Sequence, residues 1–132
     1  MHAVSNDFAT VVMPLNEAAR RVVEKQLCKK WKVSRIDFFD VNFPEILFAH
    51  GVNNPAVCRL CSNLSNSLIW QKEKHLAIVS CQPGDCLTEQ ERVGFLTQAL
   101  SKLNHKFPKI LIEGLVLNSE GDVIFDVETS QY

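Results

Sequence analysis

The sequence lacks long hydrophobic runs and a strong excess of charge of either sign. Its 132 residues carry 14 Lys and Arg against 15 Asp and Glu, a formal net charge of −1. No stretch approaches the roughly 20 apolar residues that a membrane-spanning helix needs. The segment Met1–Asp7 also lacks the basic start and following apolar stretch of a signal peptide. We therefore expect a cytoplasmic protein that is not inserted in a membrane.

Familiar catalytic and cofactor-binding motifs are absent as well. The chain contains no Gly-x-Ser-x-Gly, Walker, dinucleotide-binding, His-Glu-x-x-His or kinase motif. It also contains no internal repeat, low-complexity tract or linker. We therefore expect no cofactor and no catalytic residue, and a binding protein is better supported than an enzyme.

Glycine, proline and cysteine are scarce, with five residues of each. Five cysteines at irregular spacing favour reduced thiols over a disulfide framework, which usually has an even number. Hydrophobic residues make up 46% of the chain, which is enough for a core in one domain of this length. The sequence therefore predicts a single domain over residues 1–132, with 1–6 and 129–132 frayed.

Two long amphipathic helices are predicted. Apolar residues recur at steps of three and four over 16–31, and Asn16 occupies the N-cap position. A capping box formed by Thr88 and Glu91 begins the second helix, which Pro108 ends. The other predicted elements are an edge strand over 8–13, a hairpin of strands 33–40 and 45–50, a short helix over 54–64, strands 67–70 and 75–81, and a hairpin of 109–117 with 122–128.

This order of elements predicts the fold class. Two hairpins within a mixed series of helices and strands favour an α+β domain. We expect a mixed, mostly antiparallel sheet of about five to six strands, packed by two long helices and one short helix. The predicted order resembles that of small secretion chaperones, and the hairpin around 115–124 is similar to those of roadblock and longin-type scaffold domains. Both resemblances imply a chaperone-like or adaptor role.

The cysteines offer one alternative. Cys58-x-x-Cys61, followed by Cys81 and Cys86, could supply four thiolates to a zinc ion. Cys58 and Cys61 fall within a predicted helix, however, where burial as small apolar side chains explains them equally well. A Cys/His enzyme is a related alternative, for which His50 at a predicted strand end is the best histidine. No metal site is favoured.

The charge layout carries more information than the motifs. Between Glu17 and Arg35 seven basic residues stand against two acidic ones, whereas five acidic residues and no Lys or Arg occur from Glu113 onwards. Trp31 places an aromatic ring among the cations. The candidate partner-binding residues are therefore Arg20, Arg21, Lys25, Lys29, Lys30, Trp31, Lys32 and Arg35.

These observations favour a non-enzymatic protein-interaction module, such as an adaptor, chaperone-like protein or regulatory subunit. It would act through sheet edges, which accept partner strands, and through its basic amphipathic helix. The opposite polarity of the two halves also fits either head-to-tail assembly into a homo-oligomer or a protein partner of complementary polarity. The alternatives are a nucleic-acid-binding protein that uses the basic segment 20–35 and exposes Lys29, Lys30, Trp31 and Lys32 as one patch, and a zinc-binding or Cys/His enzyme.

Overall fold

The structure, a computed structural model, describes residues 7–51, 54–81 and 87–129. Helices account for 47% of these residues and strands for 27%. The elements in chain order are β1 (Phe8–Met13), α1 (Glu17–Trp31), β2 (Arg35–Asp40), α2 (Pro44–Ala49), α3 (Pro55–Ile69), β3 (His75–Ser80), α4 (Glu89–Lys106), β4 (Leu111–Leu117) and β5 (Val123–Glu128).

One five-stranded sheet organises the domain, with the strand order β2-β1-β3-β4-β5. The predicted α+β class is confirmed. The expectation of a mostly antiparallel sheet is wrong, because β1 pairs in parallel with β2 and β3, and β3 pairs in parallel with β4. The chain returns through a helix between each of these strands, and such crossovers produce parallel neighbours. Only the β4–β5 hairpin is antiparallel among the described strands.

The first predicted hairpin does not exist, because the segment expected as strand 45–50 forms helix α2. Pro44 stands in the first turn of this helix, where its missing N–H costs nothing, and Phe43 precedes it in a left-handed conformation. The β-forming residues of α2 are helical because tertiary packing decides: Phe48 and Ala49 are buried in the core beside α4.

Helix α3 is longer than predicted and includes the segment expected as strand 67–70. Its buried residues Val57, Cys61, Leu64 and Leu68 follow steps of three and four over the whole length. The Ser and Asn residues expected to form a loop lie mainly on its exposed side. The described residues therefore form three long helices and a short one, instead of two long and one short. The arrangement on which the resemblance to secretion chaperones rested is not the one found.

Strand β1 is an interior strand of the sheet, although we expected an edge strand. All six of its residues are buried between β2 and β3. Val12 packs on one face, whereas Ala9, Val11 and Met13 pack on the other. The edges of the sheet are β2 and β5.

Helices cover the two faces unequally. Helix α1 packs on one face, called here the α1 face, around Val23 and Leu27. Helices α2, α3 and α4 pack on the opposite, three-helix face, around Phe48, Leu64 and Leu96. The predicted caps are confirmed, because Asn16 accepts a backbone N–H group at the start of α1 and α4 begins with the Thr88–Glu91 capping box. Asn54 caps the start of α3 in the same way.

Candidate functional site

The eight candidate residues of the basic segment occupy different surroundings. Four cations form an exposed row along α1 and its C-cap, called here the basic row: Arg21, Lys25, Lys29 and Lys32. Arg21 makes an ion pair with Glu17, at 3.8 Å between Nη2 and Oε2, and both side chains remain highly exposed. Pairs of this kind contribute little to stability, so the row remains a positively charged surface.

Arg20 and Arg35 lie beside β2 instead. The guanidinium carbon of Arg20 is 4.8 Å from the ring centroid of Phe38, and that of Arg35 is 4.2 Å from the ring centroid of Phe8. Both distances are typical of cation–π contacts. The Nε and Nη2 atoms of Arg20 are covered and have no hydrogen-bond acceptor among the described residues.

Trp31 is not part of an exposed patch, as the nucleic-acid hypothesis required. It is only 7% exposed, and its ring stacks on that of His75, with centroids 4.6 Å apart and planes at 11°. Burial of His75 lowers the pKa of its imidazole. Because Trp31 is enclosed by the protein, its ring has no free face on which a base could stack.

Lys30 faces three carboxylates of the β4–β5 hairpin. Its Nζ donates to Oε1 of the fully buried Glu113 and lies 2.5 Å from Oε1 of Glu128 and 3.8 Å from Oδ2 of Asp126. Burial raises the pKa of Glu113 to about 7, although the bond from Lys30 opposes this shift. The same lysine lowers the pKa of Glu128 by hydrogen bonding. Burial disfavours the ammonium, but its hydrogen bonds to Glu113 and Glu128 outweigh that and raise the pKa of Lys30.

The two sheet edges differ in how they could accept another strand. Strand β2 pairs with β1 over all six of its residues without a bulge, and its Ile36, Phe38 and Phe39 side chains are half-buried. Strand β5 has a bulge at Ile124, because Val116 pairs with Phe125 and the next residue, Leu117, pairs with Val123. A bulge is one device that protects an edge from strand addition, and β2 has none, although it carries Arg35, Asp37 and Asp40. The edge of β2 is therefore the more open one.

The cysteines do not converge on one site. Cys58 is exposed on α3, Cys61 is buried in the core of the three-helix face, and Cys81 is buried in the core of the α1 face. Cys86 lies outside the described residues. Over 7–51, 54–81 and 87–129, no group of three His, Cys, Asp or Glu side chains is arranged to hold a metal ion. Burial raises the pKa of Cys81 to about 11, with Glu45 adding to the shift, so this thiol is protonated at neutral pH.

His50 is the C-cap of α2 and not the end of a strand. Its ring contacts Phe95, with centroids 6.1 Å apart. It also borders an open cavity of about 350 Å³ that Phe43, Ile46 and Leu47 line on the apolar side.

Sequence reasoning missed a buried charged network on the three-helix face. Arg92 of α4 is 4% exposed and donates from Nε to Ser80 Oγ at 2.9 Å. Its Nη2 donates to the backbone oxygens of Ser80 and Leu117, both at 2.8 Å. Glu45 of α2 is also buried, and burial raises its pKa while Ser80 and Arg92 oppose the shift. The available signal was the placement of Arg92 four residues before Leu96, in line with the apolar stripe of α4.

Comparison with known proteins identifies no relative: no family model, curated protein or solved structure matches this chain. None of the helices described is both long and apolar enough to cross a membrane. The geometry of the chain's own residues therefore carries the functional argument.

Proposed function

We propose that this protein is a non-enzymatic protein-interaction module that binds an extended segment of a partner protein at the edge of β2. The observation that carries the proposal is the open edge itself: β2 pairs on one side with β1, and no described strand pairs on the other. An edge strand offers a row of unpaired N–H and C=O groups to an incoming strand. The added strand would also cover the half-exposed Ile36, Phe38 and Phe39 side chains.

The polar groups near this edge suit an acidic segment. Arg35 at the start of β2 lies over the Phe8 ring and is exposed, and its guanidinium group can bind a carboxylate. The carboxylate of Asp37 is already engaged, because Ser67 Oγ donates to its Oδ2 at 2.7 Å. We therefore expect Asp or Glu in the bound segment, beside residues that favour strands.

A cytoplasmic location is part of this proposal. Cys28, Cys61 and Cys81 carry free thiols, as is usual in a reducing compartment. Burial raises the pKa of the Cys61 and Cys81 thiols, which disfavours a thiolate nucleophile at either position. The buried Trp31 leaves the nucleic-acid alternative with cations alone.

Selection of peptides tests the proposal without a known partner. Random peptides displayed on phage are selected on the immobilised protein, and a selected peptide is then added to isotope-labelled protein for NMR. We expect acidic, strand-forming peptides, and slower amide exchange at alternate residues of β2, because an added strand bonds to every second N–H group.

The β5 edge is the internal control for this experiment. Its amide exchange should stay unchanged when the peptide binds. Failure to enrich any peptide, or protection that falls on β5 or away from both edges, would overturn the proposal.

A further inference from the structure

We propose that two copies of this chain form an isologous dimer in which α1 of each copy lies on the β4–β5 side of the other copy's α1 face. This inference does not rest on strand addition at β2, because it uses the α1 face near β5, which is the edge farthest from β2. It starts from a face that the chain's described residues leave partly uncovered.

The coverage of the α1 face is incomplete. Five strands spaced by about 4.8 Å are wider than one helix of about 10 Å diameter. Helix α1 packs on this face around Val23 and Leu27, and Val123 of β5 packs on the same core. Asp126 of β5 lies on this face, 3.8 Å from Lys30 Nζ, and is exposed, as is Ile124 at the bulge, whereas Phe125 and Val127 pack on the opposite core.

The charges on this side indicate what covers it. From 110 to 129 the chain has no Lys or Arg, and Glu120, Asp122 and Asp126 are exposed together with Glu128. On this face Lys30 of α1 contacts the hairpin, and it already pairs with Glu113 and Glu128. The flank therefore has an excess of negative charge, and a positively charged helix is the complementary partner.

The basic row on α1 supplies that charge. Arg21, Lys25, Lys29 and Lys32 are exposed on the helix that borders the acidic flank. The basic row and the acidic flank both lie on the α1 face of the sheet. A twofold axis parallel to α1 therefore brings the basic row of each copy onto the acidic flank of the other, so that both contacts form at once. The two α1 helices then lie side by side between the two sheets, and each turns its basic row toward the other copy's acidic flank.

Exposed apolar side chains supply contacts that charge alone does not. Val22 of α1 and Ile124 of β5 are 37% and 40% exposed, and Leu15, just before α1, is 66% exposed. Individual surface ion pairs are worth little, so charge orients the two copies while burial of these side chains adds affinity. The dimer should therefore weaken as salt screens the charges.

Charge reversal tests the dimer by analytical ultracentrifugation at low and high salt. One variant combines Lys25→Glu with Lys29→Glu, and the other combines Asp122→Lys with Asp126→Lys. We expect each variant alone to raise the dimer dissociation constant by at least about tenfold. An equimolar mixture of the two variants should restore a dimer containing one copy of each, because both contacts regain opposite charges. Restoration by mixing also shows that both variants are folded.

The matched control reverses two exposed lysines of α4, Lys102→Glu with Lys106→Glu, which lie on the three-helix face. This variant should dimerise like the unmodified protein. A monomer at low salt and high concentration would overturn the inference. A dimer that resists both reversals, or a mixture that grows into longer assemblies, would also overturn it, since either result requires a different interface.

Discussion

Each face of the sheet holds one cationic side chain among hydrogen-bond acceptors, but the two cations differ in how far they are exposed to solvent. On the three-helix face Arg92 is enclosed, and its donors are satisfied by a hydroxyl and two backbone oxygens. On the α1 face the Lys30 side chain is 37% exposed and stands among three carboxylates. The enclosed cation holds α4 against two strands. The open one leaves acid in excess, which a second cationic surface can use.

Removing the enclosed cation should have the largest effect on stability. Arg92→Leu leaves the Ser80 and Leu117 oxygens without their donor and deprives Glu45 of its nearby cation. Breaking a buried charged network in this way costs about 3–5 kcal/mol, which urea unfolding would measure. Arg21→Leu on the exposed row should change stability by less than about 1 kcal/mol. Equal effects of the two variants would show that the two faces do not differ.

The cluster of carboxylates around Lys30 should make the stability of the protein depend on pH. The pKa of Glu113 is about 7 in the folded protein, above its unfolded value of about 4.5, because burial disfavours its charge. The folded state therefore binds more protons than the unfolded state between these values, and this group lowers stability as pH rises from 4.5 to 7. Glu113→Gln should remove that slope, which is at most about 1.4 kcal/mol per pH unit.

His75 is the control for this measurement because its pKa shifts the other way. Burial lowers its pKa below 6.5, so it contributes stability that is lost as pH falls below that value. His75→Gln should therefore make stability fall more steeply as pH rises from 4.5 to 7. A pH profile that Glu113→Gln leaves unchanged would contradict the assigned burial of this carboxyl.

A smaller effect on stability should come from the tight packing of the three-helix face. A Cβ at Gly114 would lie 2.8 Å from Leu100 Cδ1 and 2.9 Å from Leu96 Cδ2, so Gly114→Ala should destabilise the three-helix face by about 1–3 kcal/mol. The matched change, Gly94→Ala, meets no atom within 4 Å on exposed α4 and should stabilise the protein by roughly 0.5–1 kcal/mol. Thermal unfolding of both variants would check the opposite signs; a stable Gly114→Ala protein would indicate a looser core.

Local signals predicted where the three long helices begin and where the last hairpin lies, whereas they could not predict the sheet topology. The cap at Asn16 and the Thr88–Glu91 box depend on a few neighbouring residues, so their patterns are readable. The position of β1 depends on pairing with β3, more than 60 residues away in the chain. The prediction of a strand over 45–50 was wrong for a related reason, because the contact of this segment with α4 overrides the preference of its residues for strands.

The candidate site was predictable in composition but not in geometry. Charge counting located the basic segment and the acidic hairpin, because exposed charges are stabilised by water and need no particular partner. It could not show that Lys30 turns inward to Glu113, or that Trp31 stacks on His75, because both contacts join residues distant in sequence. The open edge of β2 was also hidden, since the order of strands decides which edges exist.

The central position of β1 also constrains the time course of folding. During synthesis β1, α1 and β2 emerge first and can form a local unit, but the second partner of β1 is β3, which begins only at His75. Until then one side of a fully buried, mostly apolar strand has no neighbour. We expect the nascent chain to need protection by a chaperone over this interval, because unpaired strand edges aggregate. Arrival of β3 is therefore the event that commits the chain to its native sheet.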